Sequence, residues 1–209
     1  MTDREEAAGL FGPSSVSWRV DRELIVLTGG SCTLLMQAAH PIVAAGVIEH
    51  STYASDPVGR LRRTLESSFD VVFGTLSTAD AAIRRVNAIH ACVGGRLPDG
   101  RAYAATDPEA LLWVHATLVD TALRVYTRFV APLDPDEVQA YHAESAQVAE
   151  RLGVPRHILP PTIGELKEWM AARMADGTVR VTPQARRIAR SVLRPLRVVP
   201  GALQDVAHL

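Results

Sequence analysis

The chain is short of several things, and each shortage narrows its class. It has 209 residues, of which aromatics are 5%, and its cysteines number two, Cys32 and Cys92. These lie far apart and outside any CxxC spacing, which argues against a disulfide framework and for two buried, reduced thiols. The longest apolar-rich stretch, residues 33–48, is interrupted by Gln37, His40 and Pro41 and is shorter than the roughly 20 residues a membrane span needs. The acidic start MTDREEAAGLFGP lacks the basic and apolar regions of a secretory signal. The expectation is a cytoplasmic protein with no membrane span. Neither charge sign dominates: the net charge is −1 with 22% charged residues. No strong field recommends nucleic acid or an anionic membrane as partner.

Familiar catalytic signatures are also missing. There is no HExxH, EF-hand loop, Glu-x-x-His pair, GxSxG elbow or glycine-rich phosphate loop. Gly29-Gly30 and Gly94-Gly95 read instead as helix stops.

What remains is helical punctuation. Residues 1–17 read as a mobile arm, broken at Gly12-Pro13. Residues 18–209 read as one all-α domain of seven to nine helices, without repeats or long linkers. Residues 18–27 fit a short helix, Ser31 caps the next, and Pro41 restarts the chain after His40. A Pro98-Asp99-Gly100 turn marks a short hairpin or loop over 96–105. Asp107-Pro108 opens the longest helix, running to Val130, whose apolar set (Leu111, Val114, Leu118, Val119, Ala122, Val125, Tyr126, Phe129) predicts a central buried element. Asp134-Pro135 opens another, Thr162 and Glu165 form a capping box, and Thr182-Pro183 starts a last helix whose Arg186, Arg187, Arg190 and Arg194 read as a solvated face.

Residues 56–95 carry the most specific pattern. Asp56-Pro57 starts a helix in which Arg60, Arg63 and Thr64 fall at i, i+3 and i+4, on one face. Gly74 ends it, and Ser77 or Thr78 caps a second helix carrying Val86, His90 and Val93. His90 thus lies on or beside an apolar stripe. Cations on one helix and a lone imidazole on its antiparallel neighbour suit a planar, anionic, metal-containing cofactor. Surface pairing of the arginines with Asp56 or Glu66 is the alternative, and the pattern alone leaves both open.

Of the other histidines, His142, His157 and His208 sit in polar contexts and read as surface residues. His40 and His50 flank one helix without metal-pair spacing. His115, beside Val114, reads as a core histidine.

Several ordered motifs carry a resemblance. They are Gln37-Ala38-Ala39-His40-Pro41 with Val43-Ala44, Gly46-Val47 and His50-Ser51, then Asp56-Pro57-x-x-Arg60-Leu61-x-Arg63-Thr64 and Val72-Phe73-Gly74. They continue through Ile89-His90-x-x-Val93, Tyr103 with Asp107-Pro108, and Leu112-Trp113-Val114-His115-Ala116-Thr117-Leu118-Val119-Asp120. The last are Glu144 and Leu152-Gly153-Val154-Pro155 with Leu159-Pro160. Over about residues 20 to 170 the chain resembles the rubber oxygenase (latex clearing protein) and MpaB-type oxygenase catalytic domains.

The resemblance implies a globin-like helical core holding haem b, with His90 as the proximal iron ligand and Arg60, Arg63 and Thr64 on the distal side. It implies oxygenation or oxidative cleavage of a small apolar substrate, such as an isoprenoid or lipid, with dioxygen. His40, His50, His115, Tyr103 and Asp120 become candidates for the pocket wall or its surroundings. Relatives carry lysine where this chain has Arg63; an amine can ligate iron and a guanidinium cannot, so an open or water-bound sixth site is expected. Relatives also carry more C-terminal chain, which leaves a pocket wall absent or supplied by a partner, as in a homodimer. The alternatives are a haem-binding protein without turnover and a cofactor-free helical scaffold.

Overall fold

In the computed structural model, residues 9–53 and 55–193 are described. Among them are nine α-helices and one two-stranded hairpin, the all-α architecture expected. Residues 9–15 lead into α1 (Val16–Asp21), with Phe11 and Ser17 buried; residues 1–8 of the expected arm lie outside the described residues. Ser15 caps α1 by accepting the Trp18 N–H. Glu144 then accepts the Ser17 N–H at 2.7 Å, clamping α1 to the helix that carries it.

The stretch expected as one helix over 18–27 is split. α1 ends at Asp21, and a 3-10 turn (Leu24–Gly29) leads directly into α2 (Gly30–Ala38). Gly29 therefore does not stop a helix. A Cβ there would sit 2.5 Å from Thr121 Cγ2, so glycine is what lets this turn press against the central helix. α3 (Pro41–His50) leaves the axis of the preceding segment at 107°. The bend follows from His40, extended at ψ 122° ahead of proline.

α4 (Pro57–Phe73) and α5 (Leu76–Ala91) follow as an antiparallel pair. β1 (Gly94–Arg96) pairs with β2 (Ala102–Ala104), with Gly95 opposite Tyr103. Gly94-Gly95 is thus strand, not helix stop: a Cβ on Gly95 would lie 3.0 Å from the Tyr103 ring, so only glycine lets the two strands close over it.

The centre is α6 (Pro108–Phe129). Leu112, Trp113, Ala116, Val119, Leu123 and Tyr126 are buried on it, and Trp113 donates its indole N–H to the Met36 carbonyl at 2.9 Å. The buried stripe is rotated from the one expected: Leu118 is 52% and Phe129 65% exposed. The reason is that polar His115, Thr117 and Asp120 also lie inside, which an apolar count does not register.

α7 (Pro135–Arg151) begins with a reciprocal capping box between Asp134 and Glu137. α8 (Ile163–Ala175) has only half of one, because Thr162 caps Glu165 N–H while the Glu165 carboxylate takes the Thr162 hydroxyl. α9 (Pro183–Val192) lies on α2 and α3 through Ala185 and Ile188, with Arg186, Arg187 and Arg190 exposed. Arg194 lies outside the described residues. Both cysteines, expected to be buried, are exposed. Among the described residues no single helix is long and apolar enough to cross a membrane.

Candidate functional site

The α4–α5 pair is set by its ends. Asp56 Oδ1 accepts the Gly59 N–H at 2.9 Å and Pro57 occupies the first helical position. After Gly74, Thr75 rather than Ser77 or Thr78 caps α5, accepting the Thr78 N–H. So short a connection makes the helices antiparallel, and Arg60, near the start of α4, and His90, near the end of α5, fall at the same end of the pair.

His90 is half-buried, burial holds its pKa below the ordinary histidine value, and its Nδ1 is buried without a hydrogen-bond partner. A neutral imidazole with an unspent nitrogen is what a metal or a hydrogen-bonding ligand requires. Arg60 is also half-buried and, among the described residues, pairs with no carboxylate. Burial, then the charge of Arg63, lowers its pKa, yet a guanidinium remains protonated. It is a cation without a carboxylate partner among the described residues, at the same end of the helix pair as a neutral histidine.

The other two residues of that helical face are spent locally. Arg63 donates to Asp56 Oδ2 at 3.2 Å and to Thr52 Oγ1 at 3.0 Å, fastening the start of α4 to the loop before it. Thr64 is exposed and donates its hydroxyl to the Arg60 carbonyl at 2.9 Å. Sequence spacing grouped Arg60, Arg63 and Thr64; the hydrogen bonds leave Arg60 as the one with free donors.

The remaining candidates occupy other places. His50 is exposed and bonds through Nε2 to the Gly94 carbonyl at 3.1 Å, and Tyr103 donates to Glu49 Oε2 at 2.6 Å; both tie α3 to the hairpin. His40 lies in a cleft at the α2–α3 bend. Asp120 is buried and pairs with Arg124 Nε at 2.8 Å. His115 is buried in α6, its pKa pushed down to about 4 by burial and then by His142, and its Nε2 has no partner. Its ring lies 6.4 Å from that of His142.

His142 corrects the expectation of a surface residue. It is 1% exposed, with Nε2 against the Pro160 carbonyl at 2.8 Å. The signal was present, since His142 follows Val138 by four and precedes Ala149 by seven, on the inner face of α7. His157 is exposed as expected, and His208 lies outside the described residues. A second network had no sequence signal: Tyr141 donates to Asp21 Oδ1 at 3.0 Å, and burial raises the Asp21 carboxyl to about 6. Among the described residues no three His, Cys, Asp or Glu side chains cluster as a metal site.

The site is therefore one imidazole and one guanidinium on paired helices of an all-α domain, a donor set that fits a prosthetic group needing a single protein ligand and an anion partner. The family model for the catalytic domain of the ER-bound oxygenase mpaB/B' and rubber oxygenase matches residues 18–208, and the chain belongs to this family of oxygenase catalytic domains. Comparison with curated proteins and with solved structures gives no match.

Proposed function

We propose that this chain is a haem-dependent oxygenase, with His90 as the protein ligand to iron and Arg60 as the cation of the same pocket. The observation that carries the reading is the unpartnered, buried Nδ1 of His90 at the same helical end as the unpaired Arg60. A bound haem b would supply iron able to activate dioxygen toward a small apolar substrate, an isoprenoid or other lipid being the class the family suggests.

The chain's own residues do the rest. Burial keeps the His90 imidazole deprotonated near neutral pH, so that a ring lone pair is available. Arg60 offers fixed N–H donors in a partly desolvated place, suited to a carboxylate or to a developing negative charge. Arg63, held by Asp56 and Thr52, positions the start of α4 and thereby Arg60, three residues earlier. It cannot act as the exchangeable amine ligand that a lysine there would be.

Absorption spectroscopy and iron analysis of protein expressed with added haem precursor test the reading. The expected result is a Soret band and about one iron per chain, as single-histidine ligation requires. His90→Ala should abolish the band, whereas His157→Ala, on an exposed residue, should leave it. No band and no iron, or equal loss in both variants, would overturn the assignment. Oxygen uptake with polyisoprenoid or terpenoid substrates then separates turnover from haem binding alone.

A further inference from the structure

α5 packs on one side of α4. There Val71 clusters with Ala82 and Ile83 of α5, and Arg85 of α5 donates to Ser67 and Asp70 at 3.3 Å. Arg60 shares that side, since it precedes Ser67 by seven residues and Val71 by eleven. On the opposite side of α4, Val58, Leu61, Leu65 and Phe69 recur at steps of three, four and four. This is an apolar stripe along the helix. Val58 is 69%, Leu61 55% and Phe69 38% exposed, and Leu65 is half-buried.

α1 backs only the far end of the stripe. The Trp18 ring meets Phe73 edge-on at 5.0 Å, and Phe73 lies 5.8 Å from Phe69, which fixes that ring at the edge of the open part. From Val58 to Phe69 the row faces away from α5 with its apolar side chains exposed. A row spaced in this way is what a second helix buries when it lies alongside.

The charges beside the stripe say which helix suits it. Arg62 and Glu66 follow one edge of the row and pair with each other at 3.5 Å, both exposed. Such a surface pair adds little to the fold of one chain. In an antiparallel pair of identical helices related by a two-fold axis, an edge meets the same edge running the other way. With the axis at Leu65, Leu61 lies against the partner's Phe69 and Leu65 against the partner's Leu65. Arg62 and the partner's Glu66 then fall about 3 Å apart along the axis, on the same edge, as do Glu66 and the partner's Arg62. A parallel pairing would instead set the two Arg62 side chains together, which costs energy.

We propose that this chain self-associates, two copies meeting through an antiparallel α4–α4 contact centred on Leu65. The apolar row supplies the attraction, and the Arg62 and Glu66 edge selects the direction and the partner. The contact lies on the side of α4 away from Arg60 and α5, so it stands or falls independently of the haem reading. One pair of helices buries less than a standard interface, and a dissociation constant on the order of 10–100 μM is expected.

Sedimentation velocity of the full chain, from about 1 to about 500 μM to bracket that constant, tests the contact. The expected result is a monomer passing to a dimer as concentration rises. Leu61→Lys should weaken association about tenfold or more, because an ammonium would have to enter an apolar contact. Leu118→Lys, at an exposed leucine of α6, should leave it unchanged, with circular dichroism checking that both variants fold. Arg62→Glu and Glu66→Arg should each weaken association, while an equimolar mixture of the two should recover it as a heterodimer. In the mixture the acids of one variant meet the cations of the other, which no contact within one chain can reproduce. A monomer at every concentration, as when another segment or another protein occupies the stripe, would overturn the proposal. So would a dimer indifferent to Leu61→Lys, or a mixture that associates no better than its components.

Discussion

Asp56 and Arg63 form one structural unit. One carboxylate oxygen caps the Gly59 N–H at 2.9 Å while the other receives Arg63 at 3.2 Å, and Arg63 reaches on to Thr52. Arg63 is thus turned toward the helix cap. Because the cap's hydrogen bond to Gly59 and the Arg63 pair both favour the ionised form, the Asp56 pKa lies below the ordinary value.

Asp56→Ala is expected to lower the thermal midpoint more than Arg63→Ala, because it removes cap and pair together. The double variant should melt close to Asp56→Ala alone. The Asp56 contribution is present above the unfolded carboxylate pKa and is lost as pH falls through the lower folded value. Melting curves of the four proteins check this; fully additive losses would show that cap and pair are independent.

Arg60→Ala is expected to cut oxygen uptake by the haem-loaded protein by about tenfold, the loss of one charge-assisted hydrogen bond. Thr64→Ala should change it little, since that hydroxyl is turned to the Arg60 carbonyl. If the two variants lose activity equally, Arg60 has no special place in the pocket.

Buried His115 and half-buried Asp21 should pull stability in opposite directions with pH. His115 folds with its pKa near 4, against 6.5 in the reference state. The unfolded chain therefore takes up this proton first, and acidification across that window destabilises, by up to roughly 3 kcal/mol. Asp21 folds with its carboxyl raised to about 6 from 3.8, so the folded state binds its proton first and acidification stabilises. His40 and His90, both lowered by burial, act in the same sense as His115. Asp21→Asn should steepen the loss of stability between pH 6 and 4, and His115→Gln should flatten it. Denaturant titrations at several pH values measure both slopes, and unchanged slopes would refute the assignment.

Trp113→Ala is expected to cost about 3–5 kcal/mol, as for other large buried aromatics. Its ring is 1% exposed, packs 6.2 Å from that of Trp169, and its N–H holds Met36 on α2. Trp113→Phe should recover most of the packing but leave the Met36 carbonyl without that donor. Equilibrium unfolding distinguishes the two variants.

The periodicity and capping residues were enough to read the helical class. Asp56, Asp107, Asp134, Thr162 and Thr182 all cap where their chemistry predicts, because an N-cap is a contact within four residues and needs no tertiary partner. The placement of Arg60 and His90 at one helical end was legible for the same reason: the connection from Phe73 to Leu76 is too short for anything but an antiparallel return. The ordered motifs already pointed to the family.

Contacts between distant segments were not legible. Gly29 and Gly95 looked like stops, but they are glycines because Thr121 and Tyr103 approach them from elsewhere in the chain. His142 looked solvated until Pro160 and His115 enclosed it, and spacing left open which arginine pairs with Asp56, where the structure has Arg63 bonded to Asp56 and Thr52. Local hydrogen bonds and hydrophobic period are written into neighbouring residues, and they determined the helices and the end of the pair that Arg60 and His90 share. Which of those polar groups is left unspent depends on what folds against it, and only the tertiary structure decided that.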